Sequence, residues 1–99
     1  MKWKRLRIQS QAQQKIDEAF DWYIKRSSEA ADAFLTGIGA SLAQIASHPQ
    51  LCPAYTKNTR RRMLAWFPYS VIFHEKEDIV LIVAVAHAKR LPGYWRGRI

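Results

Sequence analysis

The N-terminal half of the chain has the periodicity of two amphipathic helices. In the first, apolar side chains recur every three or four residues between residues 12 and 24, with polar residues between them. This period predicts a helix with one buried face. Ser10 and Gln13 have the spacing of a capping box, so we expect the helix to begin at Ser10 with both side chains bonded to free N–H groups. The apolar positions are Ala12, Ile16, Ala19, Phe20, Tyr23 and Ile24.

A break at residues 26–28 separates this helix from a second one, and so short a connection predicts an antiparallel helical hairpin. Serine in the break is suited to cap the second helix, and Glu29 is favourable at its positive end. Gly37 and Gly39 lie within the second helix and predict a close approach of the first. The helix should end at His48, because the residue before a proline disfavours helical backbone. Its apolar stripe consists of Ala31, Phe34, Leu35, Ile38, Leu42 and Ile45.

The C-terminal half has the composition of β-strands. Three segments are rich in β-branched and aromatic residues, and they are separated by Phe67-Pro68 and by a charged turn at residues 76–78. Their short connections predict antiparallel neighbours. The continuous apolar run over residues 79–86 predicts a strand buried on both faces at the centre of the sheet. The segments are TRRRMLAW (59–66), YSVIFHE (69–75) and IVLIVAVAH (79–87).

With a further short strand over residues 3–8, the element order is β-α-α-β-β-β. This order predicts an α+β fold in which a helical hairpin packs on one face of a mainly antiparallel four-stranded sheet. The chain has 99 residues, enough to bury one core, so residues 1–99 are expected to form a single domain.

Composition bears on the cellular setting. The longest apolar run is far shorter than the roughly 20 residues that span a bilayer. The N-terminal MKWKRLR is not followed by the apolar core of a signal peptide. Cys52 is the only cysteine, so no intrachain disulfide can form, and we interpret it as an inert loop thiol. These features predict a cytoplasmic protein that does not enter the membrane.

Charge points to an anionic partner. The chain has 16 Lys and Arg against 8 Asp and Glu, a net charge of +8, which attracts polyanions or an acidic protein. In the segment RRR, Arg60 and Arg62 should share one face of a strand while Arg61 lies on the other. Either face could bind phosphate or carboxylate through bidentate hydrogen bonds. The same charges could equally protect an edge strand from aggregation.

His87 is the strongest candidate for acid–base chemistry. It ends the long apolar strand, where its side chain can emerge at the rim and act as a base if Arg90, Tyr94 and the arginine strand converge on it. His74, in mid-strand, and His48, at a helix end, are more typical of structural residues. The histidines lack metal-ligand spacing, and the sequence has no glycine-rich phosphate loop, paired carboxylates or cysteine cluster. We therefore expect no metal and no cofactor.

Several residues of the C-terminal half form a family pattern. They are Arg62, then Phe67-Pro68-Tyr69, an apolar strand, His87, Arg90, Pro92, Tyr94-Trp95 and Arg98. The pattern resembles the RelE/ParE superfamily, the toxins of bacterial type II toxin–antitoxin systems. The Ala-rich helical hairpin and the following SHPQ agree with that family in layout, so the resemblance covers nearly the whole chain. It implies a compact β-α-α-β-β-β domain with a small antitoxin, usually acidic where it binds, wrapped around it.

The resemblance implies two alternative activities. ParE-like members poison DNA gyrase, whereas RelE-like members cut mRNA in the ribosomal A site. The RLPGYW segment at residues 90–95 is more similar to the ParE branch, so gyrase inhibition is the favoured function and ribosome-dependent mRNA cleavage the alternative. A non-toxic basic nucleic-acid-binding module is a second alternative, which the charge alone would allow. Whether the chain is an enzyme depends on this choice.

The candidate site residues differ between these activities. A gyrase poison needs only a binding surface, for which the resemblance suggests Arg90, Tyr94, Trp95, Arg96 and Arg98. In a ribonuclease, His87 would be the base and Tyr94 the acid. Arg62 and Arg90 would then stabilise the charged phosphorane-like state. In either case the antitoxin is expected to bind the arginine strand, Arg60, Arg61 and Arg62.

Overall fold

The computed structural model describes residues 4–88. In chain order its elements are β1 (Arg5–Ile8), α1 (Ser10–Ile24), α2 (Ser28–Ser47), a short 3-10 helix (Pro49–Leu51), β2 (Arg60–Met63), β3 (Tyr69–Lys76) and β4 (Ile79–His87). The predicted element order and the α+β class are confirmed. Strand β2 is shorter than the sequence pattern predicted, because the chain turns after Met63 and Leu64 N–H bonds to the carbonyl of Tyr69 at 3.0 Å.

The strands form one sheet in the order β1-β4-β3-β2. Strands β2 and β3 pair antiparallel, as do β3 and β4, while β1 lies parallel to β4. The sheet is therefore mainly antiparallel, as predicted. The parallel pair is possible because the chain between β1 and β4 includes the helical hairpin, a connection long enough to return to the same end of the sheet.

Strand β4 is central and buried on both faces, which confirms the prediction from its apolar run. Val80 and Val85 pack in the main core under the helices, whereas Val83 packs in a smaller cluster on the other face. The pairing with β3 shifts register between Ile72 and Phe73. Such an irregularity changes which face the following residues occupy. The shift explains how Val80 and Val85, five positions apart, both reach the main core.

Helix α1 begins at Ser10, as predicted, but the predicted side-chain cap is present only at α2. Ser27 caps α2, since its Oγ accepts a hydrogen bond from the N–H of Ala30 at 3.1 Å. The predicted capping box at Ser10 is wrong, because the N-cap of α1 is Gln9 and its side chain makes no capping bond. The Gln13 amide instead donates to Asp17 Oδ1, one turn further on, at 3.0 Å.

The glycines of α2 do not face α1, contrary to the prediction. A Cβ at Gly37 would lie 3.7 Å from Leu64 Cδ2, which belongs to the connection between β2 and β3. A Cβ at Gly39 would have no neighbour within 4 Å. Gly37 thus lies where α2 passes the end of β2, and its missing side chain leaves space there.

Candidate functional site

The three arginines of β2 divide between the two faces of the sheet, as the alternation predicted. Arg60 pairs with Phe73 and Arg62 with Val71, both residues of the main core, while Arg61 pairs with Ile72 on the other face. Paired residues in an antiparallel ladder lie on the same face. The predicted antitoxin-binding set therefore does not form one surface.

Arg60 is held by neighbouring groups of the protein. Its Nη1 donates to the carbonyl of Cys52 at 2.7 Å, and its Nε lies 3.7 Å from Glu75 Oε1. Glu75 also forms an ion pair with Lys4, at 2.6 Å between Oε2 and Nζ. These contacts join β2 to the neighbouring loop and to β3, so Arg60 has a structural role.

Arg61 and Arg62 end in different surroundings. The guanidinium of Arg61 lies over the ring of Tyr55, 4.6 Å from its centroid, in a cation–π contact. Arg62 is half-buried beside Cys52, and its Nε is shielded from solvent without a hydrogen-bond acceptor among the described residues. No carboxylate in residues 4–88 lies within ion-pair distance of Arg62. Among the described residues, its charge is therefore not balanced by a carboxylate.

Cys52 is buried, and its surroundings make it a poor nucleophile. Burial raises the pKa of the Cys52 thiol, and the charge and hydrogen bonding of Arg62, with the charge of Arg60, offset only part of that rise. A protonated thiol is the unreactive form. This agrees with the interpretation of Cys52 as an inert loop thiol.

His87 borders a cleft between α1 and the neighbouring ends of β3 and β4. Its ring packs edge-on against Tyr69, with centroids 5.1 Å apart. The cleft has a volume of about 430 Å³ and is lined by Lys15, Glu18, Ala19, Trp22, Tyr23, Pro68, Tyr69 and His87. Its carboxylate, Glu18, is paired with Lys15 at 3.4 Å. Burial raises the pKa of both Tyr23 and Tyr69, so the cleft presents neutral phenols.

The structure does not bring His87 and Arg62 together. Strand β3 lies between their strands, which separates their backbones by roughly 10 Å or more. A cluster of aromatic rings, including Phe34, Phe67 and Tyr69, packs edge to face on the same side of the sheet, with centroids 5.5–5.6 Å apart. The two residues also line different cavities. Of the other predicted site residues, Arg90, Tyr94, Trp95, Arg96 and Arg98 lie outside the described part of the chain.

A groove on the other side of the hairpin was missed by the sequence analysis. It lies between α2 and the turn after β2, has a volume of about 440 Å³, and is mainly apolar. Trp66 at its rim is 90% exposed and Met63 is 56% exposed. Its lining consists of Ala33, Thr36, Gly37, Ala40 and Ser41 from α2 and residues 62–67. The signal in the sequence was the apolar run just before Phe67-Pro68. The sequence analysis interpreted that run as part of a strand.

The remaining histidines have structural contacts. His74 Nδ1 lies 2.8 Å from the carbonyl of Asn58, a residue with a positive φ of 62° in the loop before β2. His48 Nδ1 lies 3.0 Å from the hydroxyl of Ser47 at the end of α2. Within residues 4–88 no group of His, Cys, Asp and Glu has the arrangement of a metal site. No helix in that range is long and apolar enough to cross a bilayer.

The helical hairpin on a four-stranded sheet of this order, with a basic edge strand, defines an α+β domain. The sequence profile of the family described as "ParE toxin of type II toxin-antitoxin system, parDE" matches residues 6–92. The chain therefore belongs to the ParE toxin family.

A solved structure has a similar fold. It is a chain from the chromosomal ParDE TA system from P. aeruginosa, with a TM-score of 0.74 and 18% sequence identity. The alignment covers 86% of this chain and 96% of that chain. At this identity the likeness establishes the fold. No curated protein matches the sequence.

Proposed function

We propose that this chain acts in the cytoplasm as a ParE-like toxin that inhibits DNA gyrase, and that a small acidic antitoxin binds and neutralises it. The family match over residues 6–92 is the observation that carries the proposal. The similar solved chain comes from a ParDE toxin–antitoxin system. The net charge of +8 supports an acidic partner, because it attracts such a protein over a long range.

The described geometry favours a binding function over a nuclease. A general base and the cations that stabilise its transition state must act on the same phosphate within a few ångströms. His87 and Arg62 instead line separate cavities. A gyrase inhibitor needs only a contact surface, for which the tail residues Arg90, Tyr94, Trp95, Arg96 and Arg98 remain our candidates.

The target can be tested with purified gyrase in a supercoiling assay. We expect the chain to inhibit supercoiling and to trap cleaved DNA–gyrase complexes, and expressing cells to filament and induce the DNA-damage response. Arg90→Ala, Arg96→Ala and Arg98→Ala should each weaken inhibition in steps, because each removes a contact. His87→Ala should retain inhibition if the variant stays folded.

The opposite result identifies the alternative target. Ribosome-dependent mRNA cuts by the purified chain, with supercoiling unaffected, would contradict gyrase inhibition and favour the RelE-like activity. His87→Ala or Tyr94→Phe would then lower the cleavage rate by roughly 10²–10⁴-fold, since each removes a proton-transfer group.

The partner is tested separately. The proposal requires a short acidic protein encoded by a neighbouring reading frame. Co-expressed with this chain, that protein should copurify with it and restore growth. A chain that is soluble, harmless and alone at high expression would contradict the toxin–antitoxin proposal.

A further inference from the structure

The groove between α2 and residues 62–67, here called the α2 groove, has the form of a site for an apolar side chain. Small residues of α2 form one side of the groove. Gly37 lies opposite Leu64, and a Cβ at Gly37 would contact Leu64, so the missing side chain keeps the groove open there. A volume of about 440 Å³ falls within the range of pockets that bind ligands.

Trp66 is the most exposed large apolar residue of this groove within residues 4–88. It is 90% exposed, and within the described residues it has no hydrogen bond, ring contact or cation–π contact. The other described tryptophan is different: Trp22 packs edge-on against Tyr23 at 5.1 Å and carries Arg26 over its ring at 3.7 Å. Exposed tryptophans at the rim of an apolar depression are typical energetic centres of protein interfaces.

Arg62 is the charged residue among those that line the groove. It has no carboxylate partner in residues 4–88. An acidic protein segment that fills this groove would place a carboxylate at Arg62 beside an apolar side chain.

We propose that the α2 groove binds a segment of the antitoxin, with an apolar side chain between Gly37 and Trp66 and a carboxylate at Arg62. This inference rests on the proposed function and assigns its partner a surface. A second copy of the chain is a poorer occupant, because two molecules of charge +8 repel each other and would bring cations to Arg62. An acidic partner removes that repulsion and pairs the charge of Arg62, which has no carboxylate partner within residues 4–88.

The experiment measures the affinity of the purified chain for the antitoxin that the proposed function requires, a short acidic protein encoded by a neighbouring reading frame. Trp66→Ala should weaken binding by roughly 30-fold or more, as expected for the centre of an interface. Trp22→Ala is the matched control and should change affinity by less than about threefold, since most interface-distant truncations are near neutral. Trp66 is so exposed that its loss should leave thermal unfolding nearly unchanged.

Two further pairs of variants test the opening at Gly37 and the charge of Arg62. Gly37→Ala adds a methyl group inside the groove and should weaken binding. Gly39→Ala is its control, because it adds the same methyl group where no atom lies within 4 Å, and it should leave the affinity unchanged. Arg62→Gln should weaken binding and make it less sensitive to salt, and Arg7→Gln, an exposed site on β1, is its control.

The possible results are distinguishable. Equal affinity of Trp66→Ala and Trp22→Ala for the partner would overturn the groove assignment and leave the proposed function intact. If Trp66→Ala loses gyrase inhibition but keeps full affinity for the antitoxin, the groove assignment is wrong and the groove contacts gyrase instead. If the parent chain forms a dimer in the absence of antitoxin and Trp66→Ala is a monomer, the groove assignment is wrong and the groove binds a second copy of the chain. If the parent chain binds no acidic partner, the proposed function itself fails, and the groove assignment with it.

Discussion

Neighbouring residues of one strand can have unrelated roles here. Arg60 and Arg62 lie on the same face of β2, yet Arg60 is bonded to Cys52 and Glu75 while Arg62 has no carboxylate among the described residues. Alternation along a strand was enough to predict which arginines share a face. It could not predict their partners, because Glu75 belongs to another strand and Cys52 to a loop.

Tyr69 should make the stability of the protein sensitive to alkaline pH. Burial raises its pKa above the usual 10.0, and Tyr23 adds to the shift, so the folded state favours the neutral phenol more than the unfolded chain does. That contribution is complete below about pH 10 and is lost as the pH rises through the folded-state pKa. We therefore expect the free energy of unfolding to fall above about pH 10, and to fall less steeply in Tyr69→Phe.

Urea denaturation at several pH values between roughly 8 and 11 measures this effect. Tyr55→Phe, on the other face of the sheet, controls for the loss of a hydroxyl elsewhere. If the free energy of unfolding falls with pH equally steeply in Tyr69→Phe and in the parent, the burial of Tyr69 is not the cause of the alkaline loss of stability.

Among the elements, α2 depends most on its first turn. The break between the helices contains two serines, and only the structure distinguishes the cap, Ser27, from Ser28 at the first helical position. Ser27→Ala should lower the free energy of unfolding by about 1 kcal/mol, because it leaves the N–H of Ala30 without its side-chain acceptor. Ser28→Ala is the matched control, and thermal or urea unfolding of both variants measures the difference. Equal losses would show that the cap bond does not stabilise α2.

The elements differ in how well local sequence predicted them. The apolar run of β4 identified a central strand correctly, because burial on both faces leaves no polar positions. The same reasoning overextended β2 into residues 64–66, since Leu64 and Trp66 are apolar whether they lie in a strand or a turn. The Ser10 box failed for a similar reason: its spacing permits a cap, but Gln13 bonds to Asp17 instead.

For the whole molecule, net charge governs how the antitoxin complex should respond to salt. The Debye length falls from about 10 Å at 0.1 M salt to about 3 Å at 1 M, so attraction between a chain of charge +8 and an acidic partner is screened. We expect the Kd to rise with salt, mainly through slower association, while apolar burial in the α2 groove retains part of the affinity. Association and dissociation rates measured over a salt series provide the test. An affinity independent of salt would exclude electrostatic attraction as a main contribution.

Periodicity, turn residues and composition were sufficient for the element order, the central strand, the α+β class and the basic character of the chain. Each of these depends on residues close together in sequence or on their sum. The α2 groove and the separation of His87 from Arg62 depend on contacts between distant segments. Gly37 meets Leu64 only because α2 crosses the end of β2, and Arg62 is kept from His87 because β3 lies between their strands. Packing decides such neighbours, since no local pattern records which element will pass beside another.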